Sequence, residues 1–288
     1  MYRAMADETK GDRLYLVDST GFVFRAYHAL PALSTATGAP TGAAYGFCSM
    51  LFKLLEKHRP QYLAAVFDTG KPSFRVELFD QYKANRPPPP SDLVAQFPLI
   101  HQLVEAFRIP ILALEGYEAD DVIATLTTRA VAAGLEVTIV SSDKDLMQLA
   151  GPRVRLLDTM KDILYDPERV KEKFGVGPEQ LADWLALVGD SSDNVPGVRG
   201  VGPKTATKLL GAHDTLEGVL AAADEVSGKK LRENLVSYAE QARLSRRLVE
   251  LERDCPIEVD LESLRAVDPD SRRLWRLFGE LEFGRLRT

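Results

Sequence analysis

The segment GYEADDVIATL, residues 116–126, places three carboxylates within four residues at the start of a predicted amphipathic helix. Glu118, Asp120 and Asp121 repel one another at neutral pH, so either water screens their charges or a cation holds them. Acidic residues also favour the first turn of any helix, where they face the partial positive charge of its N-terminus. Taken alone, such a turn is more often a helix start than a metal site.

Four more acidic motifs follow apolar stretches elsewhere in the chain and change this interpretation. They are VDS with Asp18, VFD with Asp68, SSDKD with Asp143 and Asp145, and GDSSD with Asp190 and Asp193. Nine carboxylates at the ends of predicted strands or of a buried helix indicate one shared site.

The composition is that of a soluble globular protein with one or two domains. Of the 288 residues, 45% are hydrophobic and 27% are charged, and the net charge is -6. The first residues lack an apolar signal segment, and no apolar run approaches the roughly 20 residues that span a bilayer, so a cytoplasmic location is expected. Cys48 and Cys255 are too far apart to indicate a disulfide framework or zinc spacing. The acidic balance argues mildly against a nucleic-acid partner unless cations neutralise the carboxylates.

Short apolar runs alternate with helical patterns over the first 175 residues. Strands are predicted at 13–19, 62–68, 108–114, 135–143 and 154–158. The helices between them include 92–107 and 119–133. This alternation is typical of an α/β protein with a largely parallel sheet and helices on both faces. Ligands of such sheets gather at the carboxyl ends of the strands, so the carboxylates are expected on one edge.

Residues 71–92 interrupt the alternation. Four prolines at 87–90 stop any helix and favour an extended course. The segment concentrates three cations with aromatic rings between them: Arg75, Lys83 and Arg86, with Phe74, Phe79 and Tyr82. In isolation a solvated connecting loop is the simpler interpretation. Beside an acidic edge, however, cations and aromatic rings are what a phosphodiester backbone with unstacked bases requires.

From about residue 176 the pattern is helical. The loop DNVPGVRGVGPK, residues 193–204, contains Gly197, Gly200 and Gly202 and opens a helix at Pro203. Glycine-rich turns are usually only turns. Here the glycines allow close backbone approach, and the exposed N–H groups of the helix start, with Lys204 and Lys208, suit a phosphate. The basic region at 229–251 predicts one or two amphipathic helices with a solvated surface.

Together these motifs resemble the 5′ nuclease domain found at the N-terminus of bacterial DNA polymerase I, in the flap-endonuclease superfamily. The similarity spans residues 13–284 and rests on VDSTGFVFRAYHAL, VFD, YKANRPPPP, EGYEADDVIATL, SSDKDLMQL and GDSSDNVPGVRGVGPKTA. It implies an N-terminal extension at 1–12 and a PIN-like catalytic domain at 13–175 with a gate or arch at about 71–92. An all-helical helix-hairpin-helix (H3TH) DNA-binding domain at 176–288 would follow.

The resemblance implies a structure-specific 5′-3′ exonuclease and 5′-flap endonuclease that hydrolyses DNA with two divalent metal ions during replication and repair. Oxygen-only ligands suit Mg²⁺ or Mn²⁺ and disfavour zinc. The implied metal ligands form two groups: Asp18, Asp68, Glu118, Asp120 and Asp121 in the first, and Asp143, Asp145, Asp190 and Asp193 in the second.

The resemblance also implies residues that act on the DNA. Lys83 and Arg86 match the family's basic positions near the scissile phosphate and are the predicted catalytic cations, carried by a mobile gate that is helical over part of its length. The predicted DNA-binding residues are Arg25, Arg75, Tyr82, Gly197, Gly200, Gly202, Lys204, Thr205 and Lys208.

Partners follow from the same resemblance. DNA with a 5′ single strand or flap beside a duplex is the expected substrate, and K⁺ is expected at the H3TH hairpin. A DNA polymerase domain in cis or in trans is a further expected partner. We expect a monomer and no membrane association.

The sequence departs from the family at two places. The family usually has glycine directly after the first aspartate, whereas Ser19 and Thr20 precede Gly21 here, so the local turn is expected to differ. No polymerase segment follows Gly284, which leaves either a stand-alone enzyme or an excised domain.

Three alternative functions would share parts of this pattern. An RNA-cleaving PIN-type nuclease would share the acidic edge but would not need the hairpin. A non-catalytic DNA-binding module would need the hairpin but not the carboxylates, which repel phosphate unless metal ions bridge them. A receiver-like phosphoryl-transfer protein would not explain Asp190 and Asp193. The complete set of motifs favours the DNA nuclease.

Overall fold

A computed structural model describes residues 12–286 as a six-stranded sheet followed by a set of helices. Residues 1–11 of the predicted N-terminal extension lie outside the described residues. Strands β1 to β6 occupy Arg13–Asp18, Tyr62–Val66, Ile111–Leu112, Glu136–Val140, Val154–Asp158 and Ile163–Tyr165. Their order in the sheet is β3-β2-β1-β4-β5-β6, with β1 to β5 parallel and β6 antiparallel to β5. The predicted largely parallel sheet is confirmed.

Two details of the sheet differ from the sequence prediction. The run 108–114 forms only the two-residue strand β3, because this strand lies at the sheet edge and pairs only with the last two residues of β2. The apolar pattern gives no signal for β6, a three-residue strand on the opposite edge.

Helices connect the strands and make up most of the chain after β6. Helices α1 to α6 span Ser19–Ala29, Gly42–His58, Phe74–Leu78, Ser91–Val94, Phe97–Ala106 and Ala119–Ala132. Helices α7 to α13 span Pro167–Phe174, Pro178–Val188, Pro203–His213, Leu216–Ala221, Lys229–Ser237, Ala239–Val249 and Ser271–Glu280. The helix predicted at 92–107 is broken into α4 and α5, with Pro98 in the first turn of α5, where its missing N–H costs no hydrogen bond. No helix within residues 12–286 is long and apolar enough to cross a membrane.

Both faces of the sheet are covered because strand side chains alternate between them. Leu14 and Leu16 of β1 belong to one buried cluster, which includes Val122 of α6. Tyr15 and Val17 of the same strand belong to a second cluster, formed with side chains of α2 and α5. The predicted two-sided cover is therefore confirmed.

We call the chain up to β6 the sheet half and the helices from α7 onward the helical half. Helices of the helical half extend the first cluster, and the chain then returns to the sheet. Leu185 of α8 and Leu248 of α12 share the cluster that contains β1 and α6. Beyond α12, the Ala266 N–H donates to the Gln61 carbonyl at 2.8 Å, and Leu277 of α13 packs in the second cluster. Helix α13 thus lies against the sheet half. The predicted division into domains at residue 175 stays a prediction.

One buried ion pair joins the two halves. Arg75 of α3 is 1% exposed and Asp121 of α6 is 0% exposed. The guanidinium donates to both carboxylate oxygens at 2.6 and 2.7 Å, and to the carbonyls of Leu248 and Glu250 at 2.8 and 2.7 Å. Asp121 also accepts the Glu252 N–H at 2.9 Å. Helix α3, helix α6 and the chain around the end of α12 therefore meet at one point.

We predict that Arg75→Met lowers the free energy of unfolding by about 3–5 kcal/mol, because Asp121 would remain buried without its counter-charge. Urea denaturation measures the loss. Adding Asp121→Asn should restore part of it, because the two residues are coupled.

Arg243→Met is the matched control for this stability measurement. It removes a bidentate arginine pair with Glu217 that is exposed, so unfolding should change little. A loss for Arg75→Met no larger than for this control would contradict the inferred role of the buried pair.

Candidate active site

Carboxylates converge at the carboxyl ends of the parallel strands. Asp18 is the last residue of β1, Asp68 lies two residues after β2, and Asp143 lies three residues after β4. Asp120 lies in the first turn of α6, which follows β3 along the chain. Because parallel strands point the same way, these residues share one edge of the sheet.

The first acidic group contains Asp18, Asp68 and Asp120, and hydrogen bonds fix two of its members. Asp18 accepts the Gly21 N–H through Oδ1 at 2.9 Å and the Ser141 hydroxyl through Oδ2 at 2.7 Å. Asp68 Oδ1 accepts the first backbone N–H of α6 at 2.8 Å. Backbone and hydroxyl donors thus hold these carboxylates in place.

Ser19 and Thr20, which depart from the family pattern, begin helix α1 immediately after β1. The Ser19 hydroxyl donates to the Val17 carbonyl at 3.2 Å, and Thr20 Oγ1 accepts the Asp68 N–H at 2.9 Å. A Cβ at Gly21 would collide with the Asp18 carboxylate. A side chain at the third position after the aspartate would therefore displace the carboxylate.

Burial and mutual repulsion raise the pKa of two carboxyls in this group. Burial, more than the charges of Asp143 and Asp68, raises the pKa of Asp18 to about 6, even though Ser141 and Gly21 donate to it. Burial, followed by the charges of Asp143 and Asp18, also raises the pKa of Asp120. Without a bound cation, these carboxylates therefore destabilise one another at neutral pH.

The second acidic group contains Asp145, Asp190 and Asp193, which can bring one oxygen each within 4.8 Å of the others. Burial and then the charge of Asp143 raise the pKa of Asp145 to about 7. Among the described residues, the buried Asp145 Oδ1 has no hydrogen-bond partner. A buried carboxylate oxygen that accepts no hydrogen bond, within an all-oxygen donor set, fits a hard divalent cation.

Residues of both halves build the second group. Asp145 opens a 3₁₀ helix, Asp145–Leu149, that follows β4. Asp190 and Asp193 lie in a tight loop after α8, and this loop is closed by Asp190 and Val195, which exchange two backbone hydrogen bonds at 2.8 and 2.7 Å. The group can therefore form only when the helical half is docked on the sheet half.

The predicted catalytic cations contact Glu118 and Asp193 at the acidic edge. Lys83 Nζ lies 2.7 Å from Glu118 Oε1 and 3.7 Å from Asp193 Oδ2, and the Arg86 guanidinium donates to Asp193 Oδ1. Burial would lower the pKa of Lys83, but the charges of Glu118 and Asp193 outweigh burial and raise it. The ammonium group therefore stays charged at neutral pH.

Lys144 is a site residue that the sequence interpretation missed. Its Nζ lies 2.6 Å from Asp190 Oδ2 and 3.5 Å from Asp145 Oδ1. Burial would raise the pKa of Asp190, but the hydrogen bonds from Lys144 and Ser192 and the charge of Lys144 together outweigh burial, and the pKa is lowered. The signal was present in SSDKD, where a lysine stands between two aspartates.

Asp121 is not placed to hold a metal ion, so this part of the predicted ligand set is wrong. Both of its oxygens bond Arg75, and Oδ2 also accepts the Glu118 N–H at 3.1 Å. Neighbouring residues of a helix point about 100° apart. Asp120 therefore faces the acidic edge, whereas Asp121 faces the interior.

Two predicted DNA contacts, Arg75 and Tyr82, are also buried. The guanidinium of Arg75 is occupied by its ion pair with Asp121, and Tyr82 is 6% exposed. The Tyr82 hydroxyl donates to Glu118 at 3.1 Å and to Asp193 at 3.3 Å. Hydrogen bonds within the protein engage all three guanidinium nitrogens of Arg75 and leave none for a phosphate, so that prediction is wrong. Tyr82 cannot stack on a base in this conformation, and a DNA contact by Tyr82 stays a prediction. Packing against the acidic residues directs both side chains inward.

Gly197 is a packing residue rather than a DNA contact, which corrects another prediction. It is buried with φ at 62°, its N–H donates to Ser245 Oγ at 3.1 Å, and a Cβ there would collide with the Gly189 backbone. The other predicted hairpin residues are exposed or half-buried around the start of α9: Gly200, Gly202, Lys204, Thr205 and Lys208.

Arg25 lies on α1 beside the acidic edge. Its guanidinium donates to the Ser142 hydroxyl, next to Asp143 in the chain, and lies 3.9 Å from Asp158. A DNA contact by Arg25 stays a prediction.

Comparison with known proteins gives matches over nearly the whole described chain. Residues 13–175 match the family described as 5′-3′ exonuclease, N-terminal resolvase-like domain, and residues 176–272 match 5′-3′ exonuclease, C-terminal SAM fold. The 5′-3′ exonuclease of Aquifex aeolicus is 44% identical over 269 residues, covering 93% of this chain and 92% of that protein. DNA polymerase I of Rhizobium leguminosarum is 48% identical over 282 residues, but the match covers 95% of this chain and only 28% of the polymerase.

Two solved structures share the fold. A variant of the bacteriophage T5 D15 flap endonuclease, in a pseudo-enzyme-product complex with DNA and metal ions, has a TM-score of 0.70 and 23% identity over 94% of this chain and 99% of its own. The catalytic core of Rad2 in complex with DNA substrate has a TM-score of 0.65 and 17% identity over 97% of this chain and 90% of its own.

The raised pKa of Asp145 predicts a pH-dependent stability in metal-free protein. Its folded pKa of about 7 exceeds the ordinary 3.8, so the folded state binds a proton more tightly than the unfolded state. This contribution favours the fold at low pH and is lost as pH rises from about 4 through 7. In EDTA, wild type should lose about 2–4 kcal/mol relative to Asp145→Asn between pH 5 and pH 8.

Urea denaturation of both proteins at pH 5, 6, 7 and 8 measures this difference. The depressed pKa of His58 and of His101 acts in the opposite direction, but both histidines are present in both proteins and cancel in the comparison. Parallel pH dependences for wild type and Asp145→Asn would show that Asp145 ionises normally.

Proposed function

Because the chain belongs to the 5′-3′ exonuclease family, we propose that it hydrolyses DNA phosphodiesters where a 5′ single strand meets a duplex, both as a 5′-3′ exonuclease and as a 5′-flap endonuclease. Primer removal and flap processing in replication and repair are the proposed roles. The observation that carries the proposal is the acidic edge, where Lys83 and Arg86 lie against carboxylates of the active site. The same chain carries the exposed glycine hairpin.

The side chains suit hard divalent cations at both acidic groups. Asp145, Asp190 and Asp193 would hold one ion, and Asp18, Asp68 and Asp120 would hold another, with Asp143 between the groups and Glu118 beside them. Bound Mg²⁺ or Mn²⁺ would supply an activated water and stabilise the leaving oxygen. Two solved structures of the bacteriophage T5 D15 protein contain metal ions and support metal binding at this edge.

Lys83 and Arg86 would act on the phosphate itself. Both are held at the acidic edge, Lys83 by Glu118 and Arg86 by Asp193, so their positive charges are fixed before a substrate arrives. Preorganised cations stabilise negative charge that develops in the transition state at little reorganisation cost. Lys144 would balance charge at Asp190 from the other side.

The hairpin at the start of α9 would grip the duplex through its backbone. Gly200 and Gly202 allow close approach, the exposed N–H groups of the helix start suit a phosphate, and Lys204 and Lys208 add positive charge. Such contacts carry no sequence information, so binding should depend on salt rather than on sequence. K⁺ at this hairpin is part of the proposal.

A polymerase domain acting with this chain is also proposed. The chain spans less than a third of the length of the DNA polymerase I relative from Rhizobium leguminosarum. In the Aquifex aeolicus 5′-3′ exonuclease, the match spans almost the whole relative. The first relative supports a polymerase domain in cis, and the second supports a nuclease chain without one. A polymerase in trans and a monomeric nuclease are further parts of the proposal.

The function is tested by cleavage of end-labelled 5′-flap, nicked and single-stranded DNA, with RNA controls, in Mg²⁺, in Mn²⁺ and in EDTA. We expect cleavage of the 5′ strand near the junction, dependent on either metal. Asp145→Ala should slow single-turnover cleavage by on the order of 10³-fold or more, because a metal ligand is lost, while DNA binding is largely retained.

Glu217→Ala, which removes an exposed carboxylate of α10, is the matched control and should cleave normally. RNA cut as fast as DNA would favour the RNA-cleaving alternative. DNA binding without cleavage in either metal would favour the non-catalytic module.

Gly202→Asp tests the hairpin. Nothing lies within 4 Å of a Cβ at Gly202, so the variant should fold normally while placing a negative charge where phosphate is expected. We expect affinity for duplex-containing DNA to fall by about 10-fold or more at low salt.

Gly211→Asp is the control for this measurement. It adds the same charge to the same helix, at its exposed C-terminal end, where a Cβ also meets nothing within 4 Å. If fluorescence anisotropy gives equal affinities of the two variants for duplex-containing DNA, the hairpin does not contact the duplex.

A further inference from the structure

The tip of the predicted gate is fastened to the loop that carries two acidic residues of the active site. Three consecutive carbonyls of that loop, those of Ser191, Ser192 and Asp193, accept donors from residues 83–86. The Lys83 N–H donates to Asp193 at 2.9 Å, Asn85 Nδ2 to Ser191 at 2.7 Å, and Arg86 Nε to Ser192 at 3.3 Å.

The loop also donates one hydrogen bond to the gate tip. Asn194 Nδ2 donates to the Gln81 carbonyl at 2.7 Å, so each segment contributes one asparagine amide to the other segment's backbone. Lys83 and Asn194 adopt left-handed backbone conformations, with φ at 57° and 58°. Such conformations are uncommon for residues other than glycine, and they persist where the surroundings determine them. We call this set of contacts, between residues 81–86 and 190–194, the clasp.

We propose that Asn85 and Asn194 are positioning residues that make the gate tip and the acidic loop move as one unit. The catalytic cations lie on one side of the clasp, and Asp190 and Asp193 lie on the other. The inference rests on the proposed function, because it gives the clasp the task of aligning these charges for phosphodiester hydrolysis.

The two asparagines suit this task because their bonds end on backbone atoms. A bond to a carbonyl fixes the course of the chain, whereas a bond to a flexible side chain would fix only that side chain. The cations Lys83 and Arg86 are then aimed by the turn that carries them. A shift of about 1 Å in such groups can cost on the order of 10²-fold in rate.

The clasp also changes the interpretation of the gate. If the predicted mobile gate at residues 71–92 moved independently of the acidic loop, residues 81–86 and 190–194 would become exposed to solvent independently. A clasp instead predicts that the tip stays attached to the acidic loop, and that any opening occurs in both segments together.

Hydrogen–deuterium exchange of the full chain without DNA tests the coupling directly. The test pair is Asn85→Ala and Asn194→Gly, the glycine being chosen because it removes the amide and still accepts the left-handed backbone. Each variant should speed exchange by several-fold in both segments, including the segment that was not mutated. Faster exchange confined to the mutated segment would overturn the proposal.

Single-turnover cleavage of 5′-flap DNA tests the alignment. The double variant should cleave about 10-fold more slowly with unchanged KM, and Asn85→Gln, which keeps an amide donor, should recover part of the rate. A faster double variant would make the clasp an inhibitory latch, and a change in KM alone would make it a binding element; either result overturns the proposal.

Gln180→Ala is the matched control for both measurements. It removes a bond of the same kind, from Gln180 Nε2 to the Asp214 carbonyl at 2.8 Å, away from the clasp. If the variants speed exchange in both segments but the wild-type protein cleaves no DNA, the proposed function is refuted and the mechanical coupling stands. The two failures are therefore distinguishable.

Discussion

Repulsion among crowded carboxylates is the constraint on which the rest of the site depends. Two like charges 4 Å apart repel by roughly 4 kcal/mol at an effective dielectric constant of about 20, so a group of this kind cannot form without compensation. Backbone N–H groups compensate Asp18 and Asp68, and Lys144 compensates Asp190. These donors do not cancel the cost of burial everywhere, because burial still raises the pKa of Asp18 and, against the charge of Lys144, that of Asp145. The residual repulsion is what a bound cation would relieve.

The same physics separates two adjacent aspartates into different roles. Asp120 points toward other carboxylates and has a raised pKa, whereas Asp121 points inward and is saturated by a guanidinium and two backbone N–H groups. Arg75 neutralises Asp121 of α6 and donates to the carbonyls of Leu248 and Glu250, which ties α6 to the helical half. The charge of Asp120 is therefore available at the acidic edge, whereas the charge of Asp121 holds the two halves of the protein together.

Sequence reasoning located the acidic edge because the end of a parallel strand is a strong positional signal. Asp18, Asp68 and Asp143 follow apolar runs, and no long-range contact has to be known to place them together. It failed where the decision depends on which way a side chain points in a short element. Arg75 lies in a five-residue helix, and the carbonyls that bury it are more than 170 residues away in the chain. No local periodicity can reveal such a partner, and an arginine among aromatic residues then looks like a DNA contact.

The glycines illustrate the same limit from the backbone side. Gly197 and Gly202 are equivalent in a motif, yet the first touches the Gly189 backbone and the second faces open space. Only tertiary packing distinguishes a glycine that admits a neighbouring segment of the protein from one that could admit a phosphate. The second acidic group depends on packing in the same way, because Asp145 comes from the sheet half and Asp190 and Asp193 come from the helical half. The docking of the two halves is thus itself a condition for forming this group, and the buried ion pair and the continuous core are what hold the two halves together.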